Sequence, residues 1–265
     1  MSMKEKVISL IEKYGLEEMK ETILAHLHPC IYLLPQRTEF PELAKSRLGG
    51  YPDFPPGWSY PLYNGEPLVF IGQLNLEEIQ NLGIANELPA RGLLYFFYEA
   101  KEQSVFGELE NRDGWRVLYY DGDLSAVQSV PYPGTDQEYG VLYANHLQMK
   151  KGLSLHGDGI KVPDALWDTY YDEFLPAFAE INGSHTWNHQ VLGHPNNIQG
   201  DVFEEVDYLQ GKENGGPYTL LLQVDTDEDN LGIMWGDVGT IYFVLSLEDL
   251  KAKRFENALF SYQCC

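Results

Sequence analysis

Two stretches of this 265-residue chain repeat one pattern, and that echo limits what the chain can fold into more than any other feature. LVFIGQLNL at 68–76, followed by GLLYFFYE at 92–99, corresponds to TLLLQVDT at 219–226, followed by GTIYFVLS at 239–246. In each copy an apolar run reaches a glutamine (Gln73, Gln223), a loop or short helix intervenes, and a glycine precedes Tyr-Phe (Tyr95-Phe96, Tyr242-Phe243). Upstream of each stands a Leu-Gly turn closed by proline, Leu48-Gly49-Gly50-Tyr51-Pro52 and Leu192-Gly193-His194-Pro195, at offsets between about 143 and 150 residues. Two similar β-rich halves bury most apolar surface by packing on each other around a pseudo-twofold axis. The expected fold is mainly β (α+β): duplicated antiparallel units with an N-terminal helical segment and short flanking helices. A chain of this length can bury its core as one compact domain, 1–265. Its expected parts are N-terminal helices over 1–28, a first β repeat over 29–128, a connection over 129–184 and a second β repeat over 185–265.

Within that frame, Val7, Ile8, Leu10, Ile11, Tyr14, Leu16, Met19, Ile23, Leu24 and Leu27 recur at mostly helical spacing, with Gly15 dividing two helices and Pro29 ending them. CIYLLP at 30–35 reads as a short strand. The segment 46–67 holds five prolines, four glycines and Tyr51, Phe54, Trp58, Tyr60 and Tyr63, so it is an ordered loop. It either plugs one end of a sheet or forms an aromatic groove for an extended peptide, in which Trp58 would take part. The continuous apolar run 67–76 predicts a buried strand, with Asn75 capping a helix over NLEEIQNLG. Strands follow at 93–98 and 116–120, separated by a polar, charged connection over 101–114 that reads as an exposed hairpin or excursion. Residues 162–181 read as helical in two pieces around Pro176, within a connection expected to carry a β-hairpin and one helix.

Forty acidic against eighteen basic residues give a formal charge of -22, which repels phosphate backbones and anionic membrane surfaces. Nucleic acid and membrane are therefore not expected as partners; the charge serves either solubility or docking of a basic protein or peptide. Three cysteines (Cys30, Cys264, Cys265) offer no disulfide framework, no apolar run reaches the roughly 18 residues that cross a bilayer, and the first residues lack a signal-peptide pattern. The expected location is cytoplasmic.

Asp225, Asp227, Glu228 and Asp229 form the densest carboxylate cluster, but the sixth and twelfth positions of an EF-hand loop would fall on Asn230 and Gly236. The cluster is either a solvated turn or a looser cation site. His185, His189 and His194 could ligate zinc only on a helix, which Gly183 and the Gly193-His194-Pro195 turn oppose. No G-x-S-x-G elbow or phosphate-cradling glycine motif occurs, and Ser184 beside His185 is adjacency alone. The expected catalytic, metal and cofactor sets are empty. The candidate ligand-binding residues are Trp58, Gln73, His189, Gln223, Asp225, Asp227, Trp235 and Asp237. The two glutamines either bind across the pseudo-axis or tie the sheet to its loops, and Trp235-Gly236-Asp237 either packs the core or covers a ligand. The Cys264-Cys265 pair is expected to be inert and buried.

SRLGGYP (46–52), GEPLVFIGQLNLEEI (65–79), GLLYFFY, HQVLGHP, LLLQVDTDED, MWGDVGTIYF and the closing cysteine pair together resemble the uncharacterised bacterial YwqG family over nearly the whole chain. The resemblance implies a duplicated, mainly β fold without an established activity. More distantly, the Leu-Gly-Gly-x-Pro turn and the Leu-Leu-Gln and Tyr-Phe strands are similar to the programmed-cell-death-two proteins. These resemble chaperones that hold a ribosomal protein, and their Cys-x-x-Cys zinc insertions have no counterpart here. The leading expectation is a non-enzymatic, chaperone-like module with an acidic surface for a basic partner. The alternatives are a metal-assisted hydrolase using the cluster from Asp225 to Asp229 with His189, and a toxin-neutralising immunity protein.

Overall fold

The computed structural model describes residues 1–157, 159–183, 188–212 and 215–264. The expected signals at Ser184, His185 and Cys265 lie outside the described residues. Ten strands form one antiparallel sheet: β1 (Leu27–Arg37), β2 (Arg47–Leu48), β3 (Val69–Asn75), β4 (Leu93–Tyr98), β5 (Trp115–Tyr120), β6 (Asn145–Leu155), β7 (Gln190–Val191), β8 (Tyr218–Asp225), β9 (Thr240–Ser246) and β10 (Leu259–Gln263). Their spatial order is β10-β9-β8-β7-β1-β6-β2-β3-β4-β5. Read outward from the central β1/β6 ladder, each strand of one half has a counterpart in the other.

The strands curl into a nearly closed barrel. Alternation sends Leu94, Phe96 and Tyr98 inward and Tyr95 and Phe97 outward. The inward set meets its opposite number directly: Phe96 and Phe243 lie edge to face with centroids 5.2 Å apart, and Phe260 stacks on Tyr98 at 4.4 Å. Where the sheet's ends meet, the Trp115 indole donates to the Ala258 carbonyl at 2.8 Å, so the buried donor is satisfied.

Each outer face has its own cover. The 46–67 loop lays Phe54, Trp58 and Tyr60 over Phe70, Tyr95 and Phe97, so it shields a face of the sheet rather than plugging an end or forming an open groove. Helix α5 (Val202–Leu209) covers Leu220, Tyr242 and Val244 with Val202 and Val206. Helices α1 (Met3–Lys13) and α2 (Lys20–Ala25) pack with α4 (Leu175–Asn182) beside Leu153 and Leu155 of β6. A complete capping box, Ser2 with Glu5, starts α1. Between strands, α3 (Leu76–Asn81) begins at Asn75, whose side chain accepts from Glu77 N, and α6 (Leu247–Lys251) begins at Ser246, which accepts from Asp249 N.

Several local expectations are corrected. The short strand at 30–35 is the eleven-residue β1, which starts before Pro29 and forms the middle of the sheet. The connection contributes the equally long β6, paired with β1 along its whole length, in place of a local hairpin. The 101–114 excursion is anchored: Val105 is buried, and Gln103 donates to Met234 O and accepts from Gly236 N and the Tyr262 hydroxyl. Pro176 does not divide two helices. It sits in the first turn of α4, and the turn before it, Thr169–Phe174, is widened to π geometry, which accommodates the missing amide hydrogen.

Duplication is a statement about ancestry; the structural fact is that corresponding residues occupy matching environments. Gln73 Oε1 accepts from Asp53 N at 3.0 Å while its Nε2 donates to Lys45 O at 2.9 Å; Gln223 Oε1 accepts from Asn196 N at 2.9 Å while its Nε2 donates to Asn188 O at 2.5 Å. Tyr95 and Tyr242 donate, each at 2.6 Å, to Asp53 O and Asn196 O. β3 and β8 carry β-bulges at matching places, between Phe70 and Gly72 and between Leu220 and Leu222. Both Leu-Gly turns place two successive residues at positive φ, Gly49-Gly50 and Leu192-Gly193. A Cβ on Gly193 would meet Ser154 Oγ at 2.5 Å and Cys30 Cβ at 2.7 Å, which is why that turn needs glycine.

Candidate functional site

The sequence candidates fall into separate places. Gln73 and Gln223 are fully buried with both amide atoms engaged, so they tie loops to strands. Trp58 lies within the aromatic cover of the first half. Trp235 is in the barrel core against Tyr98, and Asp237 is exposed. His189, Asp225 and Asp227 do come together. Asp225 N donates to His189 Nδ1 at 3.1 Å, which leaves the ring proton on Nε2, 3.2 Å from Asp227 Oδ2. Asp225 accepts from Asn188 N, Thr226 N and the Thr240 hydroxyl, and Asp227 from Asn230 N and Nδ2. All four carboxylate oxygens and both imidazole nitrogens are spent on the protein, so this trio ties the β8–β9 turn to β7. Among the described residues, no hydrogen bond or ring contact joins it to Trp58.

Burial raises the Asp227 pKa, but the bonds from His189 and Asn230 outweigh it and hold the carboxyl below its ordinary value. A depressed folded-state pKa contributes stability that is present above the unfolded value, about 4, and lost as pH falls through the folded one. Urea unfolding between about pH 2 and 6 is expected to show a smaller acid-dependent loss for Asp227→Asn than for the natural chain. An unchanged slope would remove Asp227 from that account. Cys30 has no comparable chemistry, since burial pushes its thiol up to about 12.

The open site lies elsewhere, on the outer side of the central ladder. A cavity of about 450 Å³ is bounded by Tyr32 of β1 and Leu155 of β6, by Tyr170, Tyr171 and Phe178 of the π turn and α4, and by His194 of the loop after β7. The π turn sets its aromatic wall. Tyr170 and Phe174 are buried, while Tyr171, which lines the cavity with Tyr170, is 38 % exposed and lies 4.4 Å from the ring of Trp167, itself 52 % exposed. Asp164, Asp168 and Asp172 are exposed on the same segment and are in no ion pair among the described residues. The segment beside the cavity therefore combines two accessible aromatic rings, of which Tyr171 also lines the cavity, with unpaired carboxylates, a combination that attracts cations both by charge and by ring quadrupole. None of these residues stood out in the sequence, where 162–181 read only as two helical pieces around Pro176.

His194 joins this wall to a second cluster. His194 Nε2 and His156 Nε2 each lie 3.2 Å from the same oxygen, Asp201 Oδ2, and the two imidazoles stack at 3.7 Å with an interplanar angle of 13°. Asp201 is the N-cap of α5: its Oδ1 accepts from Phe203 N at 2.8 Å and Glu204 N at 3.1 Å, which turns Oδ2 toward the histidines. His28 lies 6.0 Å from His194, and burial, followed by the neighbouring histidines, lowers its pKa. His189 belongs to the Asp227 turn and His194 to the Asp201 cluster, so these two histidines do not share one set of ligands, in line with the glycine and proline around them that oppose a helix there. His156 and Asp201 share no spacing motif with His194; the only available signal was the capping pattern of Asp201 before VFEE.

Among the described residues no helix is long and apolar enough to cross a membrane. Comparison with known families matches residues 46–264 to one described as a domain of unknown function, DUF1963. No curated protein matches the chain.

Proposed function

The chain belongs to the DUF1963 family, and on that premise we propose that it is a non-enzymatic binding module that holds a basic segment of another protein at the mouth of the cavity beside the π turn. The observation that carries this reading is the exposed Trp167–Tyr171 ring pair, whose Tyr171 lines the cavity, on the same segment as the exposed Asp164, Asp168 and Asp172. A lysine or arginine head can lie against the rings while its charge faces the carboxylates. The formal charge of -22 favours encounter with a cationic partner. The more distant motif resemblance to the programmed-cell-death-two proteins, which are similar to chaperones, supports a protein-holding role of the same kind. The hydrolase alternative gains no support from the cluster at 225–229, whose Asp225 and Asp227 carboxylates are committed to the turn while Glu228 and Asp229 face solvent.

Calorimetric titration with a lysine- and arginine-rich dodecapeptide tests the reading. Trp167→Ala is expected to weaken binding by about 1 kcal/mol, roughly fivefold, and the Asp168→Asn, Asp172→Asn pair to weaken it and flatten its salt dependence. Replacing the remote Glu108 and Glu110 by glutamine removes the same charge and should change little. Equal binding of a glutamate-rich peptide, or indifference to Trp167→Ala, would overturn the proposal.

A further inference from the structure

We propose that His156, His194 and Asp201 form a zinc-binding site at the edge of the cavity. The first reason is convergence. Their three ligand atoms all lie within 4.8 Å of one another, and both Nε2 atoms stand 3.2 Å from one carboxylate oxygen. Two donors each about 2.0–2.1 Å from a tetrahedral ion are separated by about 3.3 Å, so the protein already holds two of the donor pairs at a coordination edge.

The second reason is the state of His194. Its Nδ1 lies 3.1 Å from Pro195 O and its Nε2 3.2 Å from Asp201 Oδ2; both oxygens can only accept, and a neutral ring with its one proton on Nδ1 satisfies the carbonyl. Nε2 then turns a lone pair toward the Asp201 carboxylate, a repulsive arrangement unless a cation or a second proton lies between them. Donation from Nδ1 to a backbone carbonyl is also how metal-binding imidazoles are commonly oriented.

The third reason is rigidity. Asp201 is fixed by two backbone amides of α5, and Ser154 Oγ accepts from His194 N at 2.7 Å. His156 N donates to His26 O at 3.0 Å, which pins the end of β6. The donors thus come from three separate elements, and to bind one ion the two stacked rings need only splay so that both Nε2 lone pairs face it. Two nitrogens and one oxygen suit zinc, and three protein ligands leave a position for water or for a group entering the cavity.

The site stands independently of peptide binding, and zinc uptake is measured with no peptide present. Chelator-treated full-length protein is titrated with zinc in competition with a chromophoric indicator, and with cobalt(II) for its visible spectrum. The expected result is one equivalent of zinc and an intense tetrahedral cobalt band. His156→Ala, at a partly exposed position, and Asp201→Asn, which keeps a capping oxygen, should each weaken zinc by at least about tenfold and remove the band, with thermal melts confirming that they fold. His146→Ala should bind as the natural chain does. Failure of the natural chain to take up zinc, or full uptake by the folded His156→Ala protein, would overturn the site and leave a shared proton as the bridge.

Discussion

Arg47→Ala is expected to destabilise the fold by about 3–5 kcal/mol, measured as a fall in the urea midpoint. The Arg47 guanidinium is 1 % exposed and forms a fork-to-fork pair with Asp53, at 2.7 and 2.6 Å, in addition to bonds to the carbonyls of Glu42 and Tyr51. Removing it strands the buried Asp53 carboxylate, which also accepts from Ala44 N and Gln73 Nε2. The other half solves the same problem without charge. There Gln190 stands in β7 where Arg47 stands in β2, and its Nε2 reaches His194 O just as Arg47 reaches Tyr51 O. Asn196 takes the place of Asp53. The double replacement Arg47→Gln, Asp53→Asn is accordingly expected to be more stable than Arg47→Ala alone, because no unpaired charge remains in the interior. A double variant as damaged as the single one would show that the two sites are not interchangeable.

Phe260→Ala carries an expected loss of about 3–5 kcal/mol. Phe260 of β10 is fully buried and stacks on Tyr98 at 4.4 Å and on Trp115 at 5.6 Å, with Phe243 edge-on at 5.3 Å. It fills the seam at which the ends of the sheet close, so its removal opens a cavity lined by aromatic rings from both halves, with little means of collapse. Tyr208→Ala, whose side chain is 82 % exposed on α5, should fall within about 0.5 kcal/mol of the natural chain. Denaturant unfolding of the two variants side by side measures the contrast. A Phe260→Ala loss no larger than that of Tyr208→Ala would mean that the seam does not hold the barrel shut.

Much of this architecture was legible in the residues because identical local tasks leave identical marks. Gln73 and Gln223 each catch one loop amide and one loop carbonyl, and Tyr95 and Tyr242 each reach a carbonyl of the same loops, so both halves keep the same letters at the same places. The Asn75 cap was legible for the same reason, since capping is a contact between near neighbours in sequence. The centre of the sheet was not legible. β1 and β6 are paired strands more than a hundred residues apart, and the exposed positions of β6 dilute the apolar pattern that marks a buried strand.

The site was less legible still. A carboxylate run such as Asp225, Asp227, Glu228 and Asp229 is conspicuous in sequence, yet two of its members are absorbed by a turn and the other two are exposed. His156, His194 and Asp201 are inconspicuous because the end of β6, a glycine turn and a helix cap bring them together only after the sheet has formed. The aromatic mouth depends on a π turn, which shifts Tyr170 and Tyr171 away from the faces that regular helical spacing would give them.

Hydrogen–deuterium exchange of the full chain, with and without the lysine- and arginine-rich dodecapeptide, tests the central claim most directly. The account predicts peptide-dependent protection concentrated at 167–178 and 194–197. Protection at 46–67 or 225–229 instead, or none anywhere at saturating peptide, would contradict it.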